Sequence, residues 1–113
     1  MKTHYYTKDI INLCDDKHLT VDEIFSKVKE IHPEAGMSSI YRNVEELVEE
    51  GLLKKVTGVG KKAFFEKYKG DHIHLVDKNT GLIIDLDETV ILPELPIGFK
   101  AESIDLKVFG EFV

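Results

Sequence analysis

His72 and His74 stand at alternate positions in the stretch GDHIHLVDKN. If that stretch is a strand, side-chain alternation places both imidazoles on one face, about 7 Å apart along the chain and within reach of a single ion. Carboxylates flank them: Glu66 ends the preceding strand-like run, and Asp85 lies in the run after a KNTG turn. Neutral imidazole nitrogens combined with carboxylate oxygens suit Fe(II), Mn(II), Zn(II) or Co(II), and no neighbouring thiolate selects a softer metal. Taken alone the pair leaves two readings open, a ligand pair or two polar residues of an ordinary strand. Hydrolytic chemistry fits poorly. No nucleophile or further general base lies at useful spacing, and a filled ligand set leaves little room for a substrate water. An enzyme is therefore not expected.

A second set of residues has the chemistry of nucleic-acid recognition. Ser38, Ser39, Tyr41, Arg42 and Asn43 cluster at the start of one helical segment, and Lys54, Lys55, Lys61 and Lys62 flank a glycine-rich tip, TGVGK. Arginine can fork onto guanine or phosphate, asparagine can pair with adenine, tyrosine can pack on a thymine methyl, and lysines meet phosphates. These residues can equally form the solvated face of an ordinary helix. Glu45, Glu49 and their neighbours Glu46 and Glu50 must face away from phosphate if the DNA reading is right.

The elements that would position these groups are legible as patterns. Ile10, Ile11, Leu13 and Cys14 make a short apolar helical face. Thr20 with Glu23 three residues on has capping-box spacing, and Val21, Ile24, Phe25, Val28 and Ile31 follow at helical intervals until Pro33 and Gly36. A third helix is expected from an N-cap at Ser38 to Gly51, burying Ile40, Val44, Leu47 and Val48. Two strand-like runs then surround the glycine tip, where Gly58 and Gly60 permit positive backbone angles. Three helices and a basic hairpin describe a winged helix, whose third helix enters the major groove; winged helices also serve as protein-interaction modules.

The rest of the chain is strand-like: HIHLVD, LIIDLDE and, beyond a proline-bounded LPELP, the tail AESIDLKVFGEFV. Charge divides at the same place. Residues 1–69 hold 12 basic and 12 acidic side chains and residues 70–113 hold 3 and 9, so the net −6 belongs entirely to the second part. An acidic lobe suits cations better than phosphates. The expected organisation is α+β: a winged-helix DNA-binding domain over 1–69, a hinge at KYKGD, and a small, mainly β, acidic metal-binding and dimerisation domain over 70–113. Cys14 is the single cysteine, so no internal disulfide can form, and the start lacks the apolar core of a secretory signal. No run approaches the roughly 18 apolar residues of a membrane span. A cytoplasmic protein with Cys14 as a small core residue is expected. His32, at a helix end, is read as structural, and His4 is assigned no role.

The stretches HLTVDEIFSKV, GMSSIYRNVEELVEEGLLKKV, KKAFFEKYKGDHIHLV and GLIIDLDE resemble the ferric uptake regulator family, which includes iron-, zinc-, manganese- and peroxide-responsive repressors. The likeness covers residues 7 to 88 well and the tail loosely. The family's recognition-helix pattern, a small residue then Val-Tyr-Arg, appears as Ser39-Ile40-Tyr41-Arg42. The resemblance implies a homodimer on a pseudo-palindromic DNA operator, with a divalent metal held between lobes to fix the DNA-binding posture. Carried over position by position, it implies the ligands His18, Glu66, His72, His74 and Asp85, and Asp85 tilts the match towards the peroxide-sensing branch. Because ligation needs neutral imidazole, metal affinity is expected to weaken as pH falls through about 6.5, where free histidine protonates.

The sequence also departs from the family. Where a first Cys-x-x-Cys pair of a structural zinc site would stand there is Asp77-Lys-Asn-Thr80, and no second pair follows VFGEFV, so a structural zinc held by four cysteines is excluded. A third family site is only partly represented, by Asp71, with Ile73 where an acid is usual. Against the family pattern, much of the basic N-terminal helix is expected to be absent, and LPELP stands where the long helix of the dimerisation lobe would be. Two further readings therefore stand beside the metal-responsive repressor. One is a DNA-binding protein whose metal is purely structural. The other is an interaction module or anti-repressor that forms mixed dimers.

Overall fold

The computed structural model describes residues 6–70, 72–86, 91–102 and 104–113. The order is α1 (Thr7–Leu13), α2 (Val21–Ile31), α3 (Met37–Glu49), β1 (Leu53–Thr57), β2 (Ala63–Lys67), β3 (Ile73–Asp77), β4 (Ile83–Leu86) and β5 (Leu106–Gly110), an α+β fold with two sheets. The chain falls into two compact units, Met1–Tyr68 and Lys69–Val113.

In the first unit, the three helices and an antiparallel hairpin form the winged helix expected from the pattern. The capping box is present: the Thr20 hydroxyl accepts the Glu23 amide at 3.2 Å, and the Glu23 carboxylate accepts the Thr20 amide at 3.0 Å. Two orphan donors are thereby satisfied at the start of α2. Ile24 and Val28, one helical turn apart, are buried, as are Ile40, Val44 and Leu47 of α3. They close with Ile10, Cys14, Leu53 and Phe65 into one core. Burying each of the larger aliphatic side chains is worth about 1.5–3 kcal/mol against leaving it in water.

Two local details differ from expectation. The cap of α3 is Gly36, in extended conformation at φ −102° and ψ 148°, so the helix begins at Met37. Gly is acceptable at that position because its backbone meets little steric resistance, and Ser38 and Ser39 consequently lie inside the first turn, exposed to solvent. At the wing tip a 3-10 turn spans Val59–Lys61, and positive φ falls on Gly60 (66°) and Lys61 (62°), whereas Gly58 is extended at −97°.

In the second unit the strand order is β4-β3-β5, with β3 antiparallel to β4 and parallel to β5. The tail is therefore a sheet strand, as its composition suggested. The LPELP stretch lies in an exposed non-helical segment that ends in a turn, where the Phe99 amide donates to the Pro96 carbonyl at 3.1 Å. Asp87 and Glu88, expected to extend β4, lie outside the described residues, as does His4.

The 77–80 turn has its own lock. One Asp77 carboxylate oxygen accepts the amides of Asn79 at 2.8 Å and Thr80 at 3.4 Å. The Asn79 side chain donates to Glu111 at 2.6 Å, and the Lys78 amide donates to the Gly110 carbonyl at 2.8 Å. The β3–β4 turn is thus tied to the end of β5. These four residues present no thiolate, and the Asp77 oxygen is committed to backbone amides, so the turn does not fit a structural zinc.

Candidate metal centre

Each unit carries imidazoles paired with a carboxylate. In the first, an isolated antiparallel bridge joins Leu19 to Phe65, with amide-to-carbonyl distances of 3.0 and 2.7 Å. The Lys67 amide also donates to the Cys14 carbonyl at 3.1 Å, so the loop between α1 and α2 is laid against β2. Pairing Leu19 with Phe65 brings the flanking residues, His18 and Glu66, side by side. His18 Nε2 lies 2.7 Å from Glu66 Oε2. Glu66 is only 4% exposed, and Lys54 is its partner across β1 and β2. A carboxylate at that depth is stable only with compensating charge or hydrogen bonds.

In the second unit, His74 is directly opposite Asp85 in the β3–β4 register. His72, two residues earlier, falls on the same side, with its ring 4.3 Å from that of His74. Nε2 of His72 and Nε2 of His74 both address Asp85 Oδ1, at 2.9 and 3.3 Å. His72 Nδ1 is 3.2 Å from the Gly70 carbonyl. A carbonyl can only accept, so Nδ1–H is the donor there. In a neutral ring Nε2 then turns a lone pair towards a carboxylate oxygen, an arrangement that needs a proton or a cation between the two. Imidazole nitrogens and carboxylate oxygens directed at common points fit a divalent ion such as Fe(II), Mn(II) or Zn(II). The orienting carbonyl of Gly70 was not singled out from the sequence. Its trace there was the glycine itself, at φ 91°, read only as a hinge. Asp71 lies outside the described residues.

The candidate nucleic-acid face divides. Ser38, Ser39, Arg42, Lys61 and Lys62 are exposed, and Tyr41 is 45% exposed. Asn43 is a correction: it is 1% exposed, and its amide donates to the Thr7 hydroxyl at 3.1 Å. It faces α1 three residues after Ile40 on the buried stripe, and a side chain so placed ties two helices together and does not read a base. His32 is structural through a contact the sequence did not suggest, with Nε2 2.7 Å from Asp9 Oδ2 and the ring tilted against Tyr6.

A winged helix joined to a small sheet unit, with histidine–carboxylate sets in both, defines a class of α+β metal-binding transcription regulators. The chain belongs to the ferric uptake regulator family, whose sequence profile matches residues 6–109. It is 30% identical over 98 residues to the peroxide operon regulator of Bacillus subtilis, covering 82% of this chain and 68% of that protein. It is 27% identical over 108 residues to the ferric uptake regulation protein of Bordetella parapertussis, covering 90% and 78%. Among solved structures it resembles the Helicobacter pylori ferric uptake regulator Fur with a TM-score of 0.78 and 19% identity, covering 98% of this chain and 79% of that one. That last likeness concerns the fold. Membership places the protein among metal-responsive transcription regulators, and the named relatives are regulators, not enzymes. No helix among the described residues is long and apolar enough to cross a membrane.

Proposed function

We propose that the protein is a cytoplasmic repressor that binds a DNA operator as a homodimer, and that one divalent cation, Fe(II), Mn(II) or Zn(II), takes His18 and Glu66 from the first unit and His72, His74 and Asp85 from the second. The observation that carries this reading is the convergence of His72 and His74 on one oxygen of Asp85, with the other ring nitrogen of His72 held at the Gly70 carbonyl. A cation that draws ligands from both units restricts their relative orientation, and binding DNA in one posture then costs less ordering entropy. The shift it produces is limited by its differential affinity for the two states. Exposed Ser38, Ser39, Tyr41 and Arg42 on the first turns of α3 would meet the major groove, with Lys61 and Lys62 on phosphates.

The test separates a shared ion from a site confined to the second unit. His18→Ala and His74→Ala are titrated with Mn(II) and then assayed on operator DNA. A shared cation predicts that each variant loses at least the roughly 10–100-fold in metal affinity that removing a mere outer-shell partner costs, and that metal-dependent DNA binding falls with it. Wild-type metal affinity in His18→Ala would reject the shared ion. Operator binding that is unchanged by chelator in a folded protein would reject the sensor.

A further inference from the structure

The first unit contains a groove of about 660 Å³ between the start of α2, one side of α3 and the wing. Pockets for drug-sized ligands span roughly 300–1,000 Å³. Its floor is apolar: Val44 and Val48 of α3, and Ala63 and Phe65 of β2. Its two walls carry opposite charge. Glu45 and Glu49, one turn apart on α3, form one side, Lys55 and Lys62 of the wing form the other, and Asp22 at the start of α2 adds a third carboxylate to the lining. Register places Lys55 in that wall: it is the cross-strand partner of Phe65 and so shares its helix-facing side of the hairpin. Among the described residues, none of the two glutamates and two lysines forms an ion pair, and the Lys62 ammonium sits 5.6 Å over the Phe64 ring.

Opposed walls of unlike charge over an apolar floor match neither a simple cation nor a simple anion. They match a molecule with an ammonium at one end, a carboxylate at the other and an apolar body between. We propose that this groove binds a short apolar peptide with free termini, its N-terminal ammonium towards Glu45 and Glu49 and its C-terminal carboxylate towards Lys55 and Lys62. Individual exposed ion pairs contribute little, so selectivity comes from engaging both ends and the floor together. The groove lies wholly in the first unit and does not require the proposed cation; it shares Tyr41 and Lys62 with the proposed DNA face, so the titration is made without DNA.

The full chain is titrated with the tripeptide alanyl-leucyl-alanine, its N-acetylated form and its C-terminal amide, with methyl resonances of Val44, Val48 and Ala63 followed by NMR. The free tripeptide is expected to shift those methyls and to bind about fivefold more tightly than either capped form, the equivalent of one exposed charge pair. The double variant Glu45→Gln/Glu49→Gln should remove the penalty for N-acetylation alone, and Lys55→Gln/Lys62→Gln the penalty for amidation alone. All four side chains are exposed, so the fold is retained. No methyl shift, equal binding of the three peptides, or discrimination that survives in both double variants would overturn the proposal.

Discussion

Cys14 illustrates how burial decides the chemistry of a single residue. It has no exposed surface, and desolvation by burial pushes its thiol up to about 12 from an ordinary value of 9.0. The neutral thiol is the form the core accepts. Because the folded protein holds this proton to higher pH than the unfolded chain, the stability it contributes is complete below about 9 and is lost as pH rises towards about 12. Folded protein at pH 8 should not react with iodoacetamide, and should react once unfolded in guanidinium. Rapid alkylation of the native state would show that the thiol is accessible. Asn43 makes a parallel case. Its buried bond to Thr7 predicts that Asn43→Ala lowers stability by about 1–3 kcal/mol, read as a fall in the urea midpoint, without changing preference between A·T and G·C substitutions in operator DNA. A change in base preference at wild-type stability would restore Asn43 to the DNA face.

At the scale of elements, pairing of short strands does most of the positioning. The Leu19–Phe65 bridge carries His18 to Glu66, and the β3–β4 register sets His74 against Asp85. The lock from Asp77 through Asn79 to Glu111 ties the β3–β4 turn to β5 without thiolate. Asp77→Ala frees the Asn79 and Thr80 amides and should cost about 1–3 kcal/mol. Hydrogen exchange would report it as faster exchange at Asn79, Thr80 and the β5 amides, with the α2 amides unaffected. Unchanged protection of β5 would mean that the parallel ladder alone holds the strand. Three helices, a hairpin and a strand-rich tail were legible from hydrophobic spacing and turn residues. Gly36 as the α3 cap was not, since Ser38 carries the stronger local signal and only the buried side of the helix fixes where its first turn begins.

For the whole molecule, exposed apolar side chains in the second unit bear on assembly. Val108, Phe109 and Phe112 are each more than half exposed, and β5 is an edge strand. An open edge strand offers unpaired backbone groups to a second chain, which supports the proposed homodimer. Phe109→Glu is expected to shift the protein from dimer to monomer by light scattering while leaving the helical circular-dichroism signal in place. A variant that stays dimeric would place the interface elsewhere. The family's metal-dependent regulation fits the histidine and carboxylate sets of both units, and metal titration of variants from each unit is the measurement that addresses the proposed shared ion.

The sequence by itself determined the α+β class, the capping box and the strand that carries His74, with His72 one residue before its start, because each depends on short-range spacing or on local backbone preference. It also specified the family, through motifs spread along most of the chain. Tertiary structure decided that Asn43 is a buried tie between helices, that the Leu19–Phe65 bridge sets His18 against Glu66, and that Asn79 reaches Glu111 just beyond the end of β5. Those outcomes depend on which distant groups meet and what water is excluded between them, and residue spacing does not encode that.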